Sequence, residues 1–366
     1  MNKHVTKLFI DLNALSHNLY FFKTKISEST KVMAVIKAFG YGSDAFKIAN
    51  HLKDKVHYFA VAYVQEGVAL RKSGIDTPIL VLHPQIDNLQ TLVDFALEPN
   101  LYNARILKAF FKLAEQQNFN QLPVHIKFNT GLNRLGFWHS DVDYIVSYFK
   151  NNSNLKLNGV FSHLAASEDI SERQFSLSQI DMFKTITNKL ASQLSYQPML
   201  HMCNTSGILN YPEAHFDMVR IGIGLHGFTN DTHFTSQLKN VNSLHSIISQ
   251  IHIIEPGESV GYNRGLIATS AMKTATIPIG HADGILRALG KGKGYVKIKN
   301  QKAAFVGNVC MDMIMVDISK IDCTEGDTVV IFDSQEMIED LAQAAETISY
   351  ELLTAISQRV ERVINS

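Results

Sequence analysis

The chain has 366 residues, more than one ordinary domain needs, and 46% of them are hydrophobic, which predicts a large buried core rather than disorder. Lys plus Arg and Asp plus Glu number 34 each, and without a long basic block nucleic acid is not an expected partner. The sequence contains no apolar run of about 18 residues and does not open like a secretory leader, so we expect a cytoplasmic protein with no membrane partner.

Apolar runs of strand length alternate with helical stretches through the first part of the chain. After a short strand at residues 8–12, strands are predicted at 32–38, 58–62, 78–82, 95–101, 124–128, 157–162, 199–202 and 218–223. Helical periodicity is found between most of them, at 45–52, 66–72, 104–116, 142–151 and 176–194. Eight strands in alternation with helices predict an α/β fold, a (β/α)8 TIM-type barrel formed by residues 1–232.

The remaining residues, 233–366, have a different sequence pattern. β-branched runs broken by Gly and Asp occur at 247–254, 272–278, 294–298, 303–309, 314–318 and 327–332, and only one helical stretch, 337–347, is evident. This pattern predicts a mainly β C-terminal domain.

Polar residues that close apolar strands are the first candidates for chemistry, because barrel enzymes react at the carboxyl ends of their strands. Lys37 ends the first barrel strand; desolvated, its amine could condense with an aldehyde, although a strand-end lysine can also simply reach water. Lys127, within a strand, needs a counter-charge or a change that removes its own charge. In Arg220-Ile221-Gly222-Ile223-Gly224 the alternate glycines suit a phosphate cup, or equally a tight turn into the second domain.

Taken in order, these and further segments resemble the alanine racemase family of fold-type III enzymes that use pyridoxal 5′-phosphate (PLP), over essentially the whole chain. The markers are Ala34-Val35-Ile36-Lys37-Ala38, Tyr41-Gly42, Lys127, Thr130-Gly131, Arg134-Leu135-Gly136, Asn204-Thr205-Ser206, Arg220-Ile221-Gly222-Ile223-Gly224, Gly261-Tyr262, Ala282-Asp283-Gly284, Cys310-Met311-Asp312 and Arg359-Val360.

The resemblance implies a PLP-dependent isomerase that interconverts L- and D-alanine and supplies D-alanine for cell-wall peptidoglycan. It makes Lys37 the lysine that binds the cofactor and the base for the D-enantiomer, and Tyr262 the base for the L-enantiomer. Two bases are needed because a proton removed from one face must be returned to the other. The family is a homodimer with shared active sites, in which Tyr262, Met311 and Asp312 enter the partner's barrel.

The resemblance also assigns the residues around the cofactor. Arg220 would pair with the pyridine nitrogen without giving up its proton, which favours racemisation over transamination. Arg134 would approach the phenolic oxygen and the substrate carboxylate, and His163 would bridge Arg220 and Tyr262. Lys127 corresponds to a lysine that is often carbamylated and then holds Arg134. The phosphate set is Tyr41, Thr205, Gly222, Ile223 and Tyr350.

Some positions depart from the family pattern without removing any of these groups. Asn129, beside Lys127, stands where an acid is common, and His281 stands near the expected substrate corridor; the other departures are Phe39, Leu132 and His226. The substrate preference could therefore differ from alanine.

Four alternatives remain open from the sequence. The chain could be a racemase of broader or different specificity, for example for serine, or a non-catalytic PLP carrier, which would lack the β domain. Related decarboxylases usually pair the pyridine nitrogen with an acid instead of an arginine. A metal-dependent hydrolase could use Lys127, His163 and His201, but no metal is expected, since Lys37 stands where a His-x-His would be needed. The three cysteines include no C-x-x-C pair, which argues against structural zinc.

Overall fold

A computed structural model describes residues 5–150, 152–229 and 231–365; residue 151, the last of the helix predicted at 142–151, lies outside these ranges. The strands are β1 (Lys7–Asp11), β2 (Lys31–Val35), β3 (Tyr58–Val61), β4 (Ile79–Val81), β5 (Glu98–Leu101), β6 (Leu122–Lys127), β7 (Leu155–Phe161), β8 (Met199–His201), β9 (Met218–Ile221), β10 (Asn242–Ile247), β11 (Gln250–Ile254), β12 (Ser259–Val260), β13 (Leu266–Ile267), β14 (Met272–Ile277), β15 (Tyr295–Ile298), β16 (Gln301–Val306), β17 (Ile314–Asp317), β18 (Thr328–Phe332) and β19 (Glu361–Asn365).

The helices are α1 (Leu12–Lys23), α2 (Lys37–Tyr41), α3 (Ala45–Leu52), α4 (Val64–Lys72), α5 (Leu89–Asp94), α6 (Ala104–Gln116), α7 (Val142–Phe149), α8 (Arg173–Ala191), α9 (Thr205–Asn210), α10 (Thr232–Thr235), α11 (Gln335–Ala344) and α12 (Ser349–Thr354). Within the described ranges, none of them is both long and apolar enough to cross a membrane.

Strands β2 to β9 form a closed parallel barrel, in which β2 pairs with β9 to complete the ring. Their side chains are almost all buried, because helices cover the outside of the barrel and other side chains fill its interior. The predicted eight-stranded barrel is confirmed. Since all eight strands run the same way, their carboxyl ends meet at one rim, and that rim carries Lys37, His201 and the segment after β9.

The second domain is mainly β, as predicted. Nine strands form one sheet in the order β11-β14-β17-β16-β15-β18-β10-β1-β19, and β12 pairs with β13 in a small ribbon. Strand β1 lies in this sheet, antiparallel to β10 and parallel to β19, although it precedes the barrel in the chain. The division at residue 232 stays a prediction. Strand β1 precedes the barrel in the sequence but pairs with β10 and β19, which follow it, so this sheet contains residues from both sides of the division.

Strands β2 and β5 are each three residues shorter at one end than predicted. The run at 32–38 ends as β2 at Val35, because Lys37 begins α2, so Lys37 follows the first barrel strand instead of closing it. The run at 95–101 becomes β5 only at Glu98, because Phe95 terminates α5 and Ala96 has a φ of 47°, a left-handed conformation that no strand adopts. Apolar composition alone did not reveal this turn.

Candidate active site

Lys37 lies two residues beyond the end of β2, at the start of an unusual turn. The next five residues all have positive φ, between 52° at Ala38 and 78° at Gly42, so α2 is wound largely in the left-handed sense. Such a conformation is costly for residues with a Cβ and persists only where the surroundings enforce it. Glu66, on α4, supplies one such constraint: its carboxylate accepts the N–H of Ala38 at 2.6 Å and also the N–H of Ala62 at 2.7 Å.

A cavity of about 490 Å³ opens at the rim of the barrel, and four cationic side chains line it: Lys37, Lys127, Arg134 and Arg220. No Asp or Glu is among the described residues that line it. Burial lowers the pKa of Lys37, and the neighbouring Arg134 lowers it further. A cavity with this charge distribution suits a ligand that carries several anionic groups.

Lys127 ends β6 inside this cavity. It is only 6% exposed, and no hydrogen bond or ion pair to its Nζ is formed by the described residues. Burial, with Arg134 and Arg220 nearby, lowers its pKa to about 7. The amine is therefore partly neutral at neutral pH, and a neutral amine can react with carbon dioxide.

Arg220, on β9, is the most extensively bonded of the four cations. Its Nη1 donates to the His201 Nδ1 at 2.8 Å, and its Nη2 donates to the His163 Nδ1 at 3.0 Å and to the carbonyls of Ser162 and Met202, both at 2.8 Å. Burial and the adjacent Arg220 hold the pKa of His163 well below its usual value, so the imidazole accepts as a neutral ring. The Arg220 Nε–H has no acceptor among the described residues and remains available to a ligand.

All five residues of the predicted phosphate set line the cavity. A Cβ on Gly222 would lie 2.3 Å from the Tyr41 Oη, so only glycine allows that hydroxyl to approach the backbone. The Thr205 Oγ1 accepts the N–H of Gly222 at 3.3 Å, while the N–H of Ile223 has no acceptor among the described residues. Burial, helped by Glu168, raises the pKa of Tyr350 to about 12, so its hydroxyl stays a donor.

Tyr262, Met311 and Asp312 do not line this cavity. They lie together in a separate recess of the second domain, where Tyr262 is 72% exposed and Met311 is 58% exposed. Asp312 forms an ion pair with Arg359 at 2.6 Å. Exposed apolar side chains gathered in one place are typical of a surface that binds another protein.

The structure adds residues that the sequence did not single out. Tyr63, His83, Asn100 and Phe161 also line the cavity. The Asn100 Oδ1 is buried without a hydrogen-bond partner in the described residues, which is a further indication of a polar ligand. These side chains come from strands and loops with no motif of their own, so only the closed barrel brings them to the rim.

Comparisons with known proteins agree with this geometry. The family model "Alanine racemase, N-terminal domain" matches residues 10–230, and "Alanine racemase, C-terminal domain" matches residues 241–364. The alanine racemase of Fusobacterium nucleatum is 35% identical over 366 residues, which cover 98% of this chain and 99% of that protein.

Solved structures are similar over the same length. The alanine racemase of Clostridium difficile 630 has a TM-score of 0.93 and 32% identity, covering 100% of this chain and 97% of that one. The alanine racemase of Bartonella henselae, solved with covalently bound pyridoxal phosphate, has a TM-score of 0.89 and 26% identity, covering 99% of this chain and 100% of that one.

Proposed function

The chain belongs to the alanine racemase family of PLP-dependent enzymes, and on this premise we propose that it interconverts L- and D-alanine with two bases, Lys37 and the partner subunit's Tyr262. The observation that carries the proposal is the position of Lys37. It opens, with its pKa lowered, into a cavity lined by three other cations and by no carboxylate of the described chain.

The residues of this cavity fit PLP group by group. Lys37 would bind the aldehyde carbon, Arg220 would donate its Nε–H to the ring nitrogen, and Arg134 would face the phenolic oxygen. Two backbone features suit a phosphate. Gly222 has no side chain to keep an anion away from the backbone, and the N–H of Ile223 has no acceptor among the described residues. The hydroxyls that would complete the phosphate site are those of Tyr41, Thr205 and Tyr350.

When bound, PLP supplies an electron-withdrawing ring that makes the α-hydrogen of an attached amino acid acidic. Arg220 limits that effect. Burial lowers its pKa only to about 10, so the guanidinium keeps its proton at neutral pH and donates a hydrogen bond without protonating the ring. This arrangement favours return of the proton to the α-carbon over transamination.

The two bases act from opposite faces, as inversion of the α-carbon requires. Burial and Arg134 lower the pKa of Lys37, which increases the fraction of neutral amine able to take a proton at Nζ. The Oη of the partner subunit's Tyr262 serves the L-enantiomer. Its exposure at 72% in one chain leaves it available to reach a second copy.

A carbamate on Lys127 would supply a negative charge to a cavity that is lined by cationic side chains. The buried amine has no partner of its own in the described residues, and its conversion to an anion would place a counter-charge beside Arg134 and Arg220. Arg134, held in this way, would bind the substrate carboxylate together with Met311 and Asp312 of the partner subunit.

The proposed physiological role is the supply of D-alanine for peptidoglycan in the cytoplasm. The three cysteines, all free thiols, are compatible with a reducing compartment. Expression of the chain should restore growth of a bacterial D-alanine auxotroph without added D-alanine, and the Lys37→Ala variant should not.

The direct test incubates the purified protein and PLP with separate L-amino acids, alanine and serine included, and reads the products on a chiral column. We expect D-alanine from L-alanine, and its absence would refute the assignment. In D2O, the Tyr262→Phe variant should lose deuterium incorporation from L-alanine by at least about 100-fold, since a positioned acid–base group contributes 10²–10⁴. Incorporation from D-alanine should fall much less.

The matched control is Tyr20→Phe, because Tyr20 is 69% exposed and so resembles Tyr262 in accessibility but belongs to α1, in the first domain. It should leave both half-reactions unchanged. Equal losses from the two enantiomers in the Tyr262→Phe variant would contradict the assignment of one base to each face.

A further inference from the structure

A series of hydrogen bonds runs from Arg220 through the inside of the barrel, away from the cavity. The Arg220 Nη1 contacts the His201 Nδ1 at 2.8 Å, the His201 Nε2 contacts the His125 Nδ1 at 3.2 Å, and the His125 Nε2 contacts the Glu98 carboxylate at 2.9 Å. The side chains of both imidazoles are fully buried. The series therefore links the guanidinium to a carboxylate without passing through water.

The direction of every bond in this series follows from its two ends. Guanidinium N–H groups can only donate, so the His201 Nδ1 must present its lone pair to Arg220. The proton of His201 is then on Nε2 and is donated to the His125 Nδ1. His125 in turn carries its proton on Nε2 and donates it to Glu98. Both imidazoles are neutral and have the same tautomer, because any other assignment would set two N–H groups against each other.

The Glu98 end is held as an acceptor. Burial raises the pKa of Glu98, and the hydrogen bonds that His125, Asn158 and Tyr58 donate to its charged form act in the opposite direction. Tyr58 donates its hydroxyl to the carboxylate at 3.2 Å, and Asn158 donates its Nδ2 at 3.0 Å. The carboxylate thus stays ionised.

The barrel also makes room for this series. Gly159, on β7, is paired in register with His125 on β6, and a Cβ on Gly159 would lie only 2.2 Å from the His125 Nδ1. Phe161 stacks on His201 with ring centroids 4.6 Å apart and an interplanar angle of 9°. Both imidazoles are therefore fixed in position as well as in tautomer.

We propose that Glu98 and His125 are positioning residues for Arg220: their one-way hydrogen bonds keep the lone pair of His201 facing the guanidinium and so aim the remaining Nε–H of Arg220 into the cavity. Neither residue lines the cavity or touches the reacting atoms. The inference rests on the proposed function for its kinetic consequences, whereas the tautomers belong to the chain itself.

The first test needs no cofactor, and substitutions serve only to assign its signals. In the chain with ¹⁵N-labelled histidine, nitrogen chemical shifts distinguish a protonated Nδ1 from a protonated Nε2, and His125→Asn and His201→Asn variants identify the two signals. We expect both histidines to be neutral with the proton on Nε2. A proton on the His201 Nδ1, or a positively charged His125, would overturn the proposal whether or not the protein racemises alanine.

The second test changes the acceptor. Glu98→Met removes it, so that only the Arg220 end still opposes the reversed tautomers, and part of the His201 population should then carry its proton on Nδ1. We expect kcat for alanine to fall about tenfold or more in both directions, since partners that orient a functional histidine elsewhere contribute about 10–100-fold. KM should stay within about twofold, as expected when orientation rather than substrate binding is lost. Glu98→Gln keeps a carbonyl acceptor and should retain the tautomers and most of kcat.

The matched control is Tyr58→Phe, which removes a hydrogen bond to the same carboxylate from outside the series that leads to Arg220 and leaves the bonds from His125 and Asn158 to favour its ionised form. It should leave the tautomers and kcat unchanged. If Tyr58→Phe lowered kcat as much as Glu98→Met, or if Glu98→Met kept a single His201 tautomer, the role of Glu98 would be structural and the proposal would be wrong. A complete lack of racemisation with the expected tautomers would instead refute the proposed function alone.

Discussion

At the scale of single residues, the buried amine of Lys127 makes a prediction about pH. Burial is the largest cause of its lowered pKa, and Arg134 and Arg220 act in the same direction. With a pKa of about 7, roughly a tenth of the amine is neutral at pH 6 and roughly nine tenths at pH 8. Because only the neutral amine reacts with carbon dioxide, carbamate formation should increase as the pH rises through 7.

The measurement is the carbamate signal in ¹³C NMR with ¹³C-labelled carbon dioxide, held at one dissolved concentration from pH 6 to pH 8. Lys127→Met should show no signal. Lys127→Ala should lose activity and regain part of it with added acetate, whose carboxylate can occupy the vacated space. A signal that is absent or independent of pH would contradict the role proposed for Lys127.

A second residue-scale prediction concerns the close approach of Tyr41 to Gly222. Gly222→Ala would place a Cβ 2.3 Å from the Tyr41 Oη, and such overpacking typically costs about 1–3 kcal/mol. The melting temperature should therefore fall. In the double variant with Tyr41→Phe the nearest atom becomes Cζ, at 3.1 Å, so part of the loss should be recovered relative to the sum of the single changes. Simple additivity of the two losses would contradict this explanation.

At the scale of elements, the left-handed turn of α2 depends on Glu66. Its carboxylate accepts three backbone N–H groups, those of Ala38, Ala62 and Tyr63. Glu66→Gln replaces one accepting oxygen by a donor, and we expect the free energy of unfolding to fall by about 0.5–1.5 kcal/mol, the usual net contribution of a hydrogen bond. Urea unfolding at one protein concentration measures it.

The control is Glu115→Gln, at an exposed position near the end of α6, where the side chain forms no hydrogen bond with any residue that the structure describes. This variant should unfold at the same urea concentration as the original chain. If Glu66→Gln did so as well, the turn would be held by its packing rather than by the carboxylate.

Much of the architecture could be predicted from the sequence because it rests on local patterns. The barrel strands are short apolar runs between helices, and the resemblance placed Lys37, Lys127 and Arg220 in one set, which the structure brings to one cavity. The glycines after Lys37 indicate a turn, but its left-handed winding could not be predicted: Ala38, Phe39 and Tyr41 have no sequence feature that indicates positive φ. Its constraint, Glu66, lies on another helix.

The pairing of strands that are far apart in the sequence could not be predicted either. Strand β1 was predicted from its composition, yet only the folded chain reveals that it pairs with β10 and β19, far away in sequence. The contacts of Glu98 and His125 likewise join neighbouring barrel strands whose sequences contain no motif. Features that depend on which distant strands meet were therefore not accessible from periodicity.

At the scale of the whole molecule, the two groups of residues that are proposed to form one active site lie apart within a single chain. The cavity of Lys37 belongs to the barrel rim, while Tyr262, Met311 and Met313 form an exposed apolar recess in the second domain. Apolar side chains that are exposed together in one patch are typical of an interface. A head-to-tail pair of chains, each lending its recess to the other's rim, would bring Lys37 and the partner subunit's Tyr262 together.

This arrangement predicts complementation between two inactive variants. Neither Lys37→Ala nor Tyr262→Phe should racemise alanine by itself. When equal amounts are unfolded together and refolded with PLP, half of the dimers should be mixed, and in each of these one site combines the intact Lys37 of one chain with the intact Tyr262 of the other. About a quarter of the original activity should then return, as random pairing of the two chains requires. If both bases came from the same chain, every site would lack one of them and mixing would restore nothing.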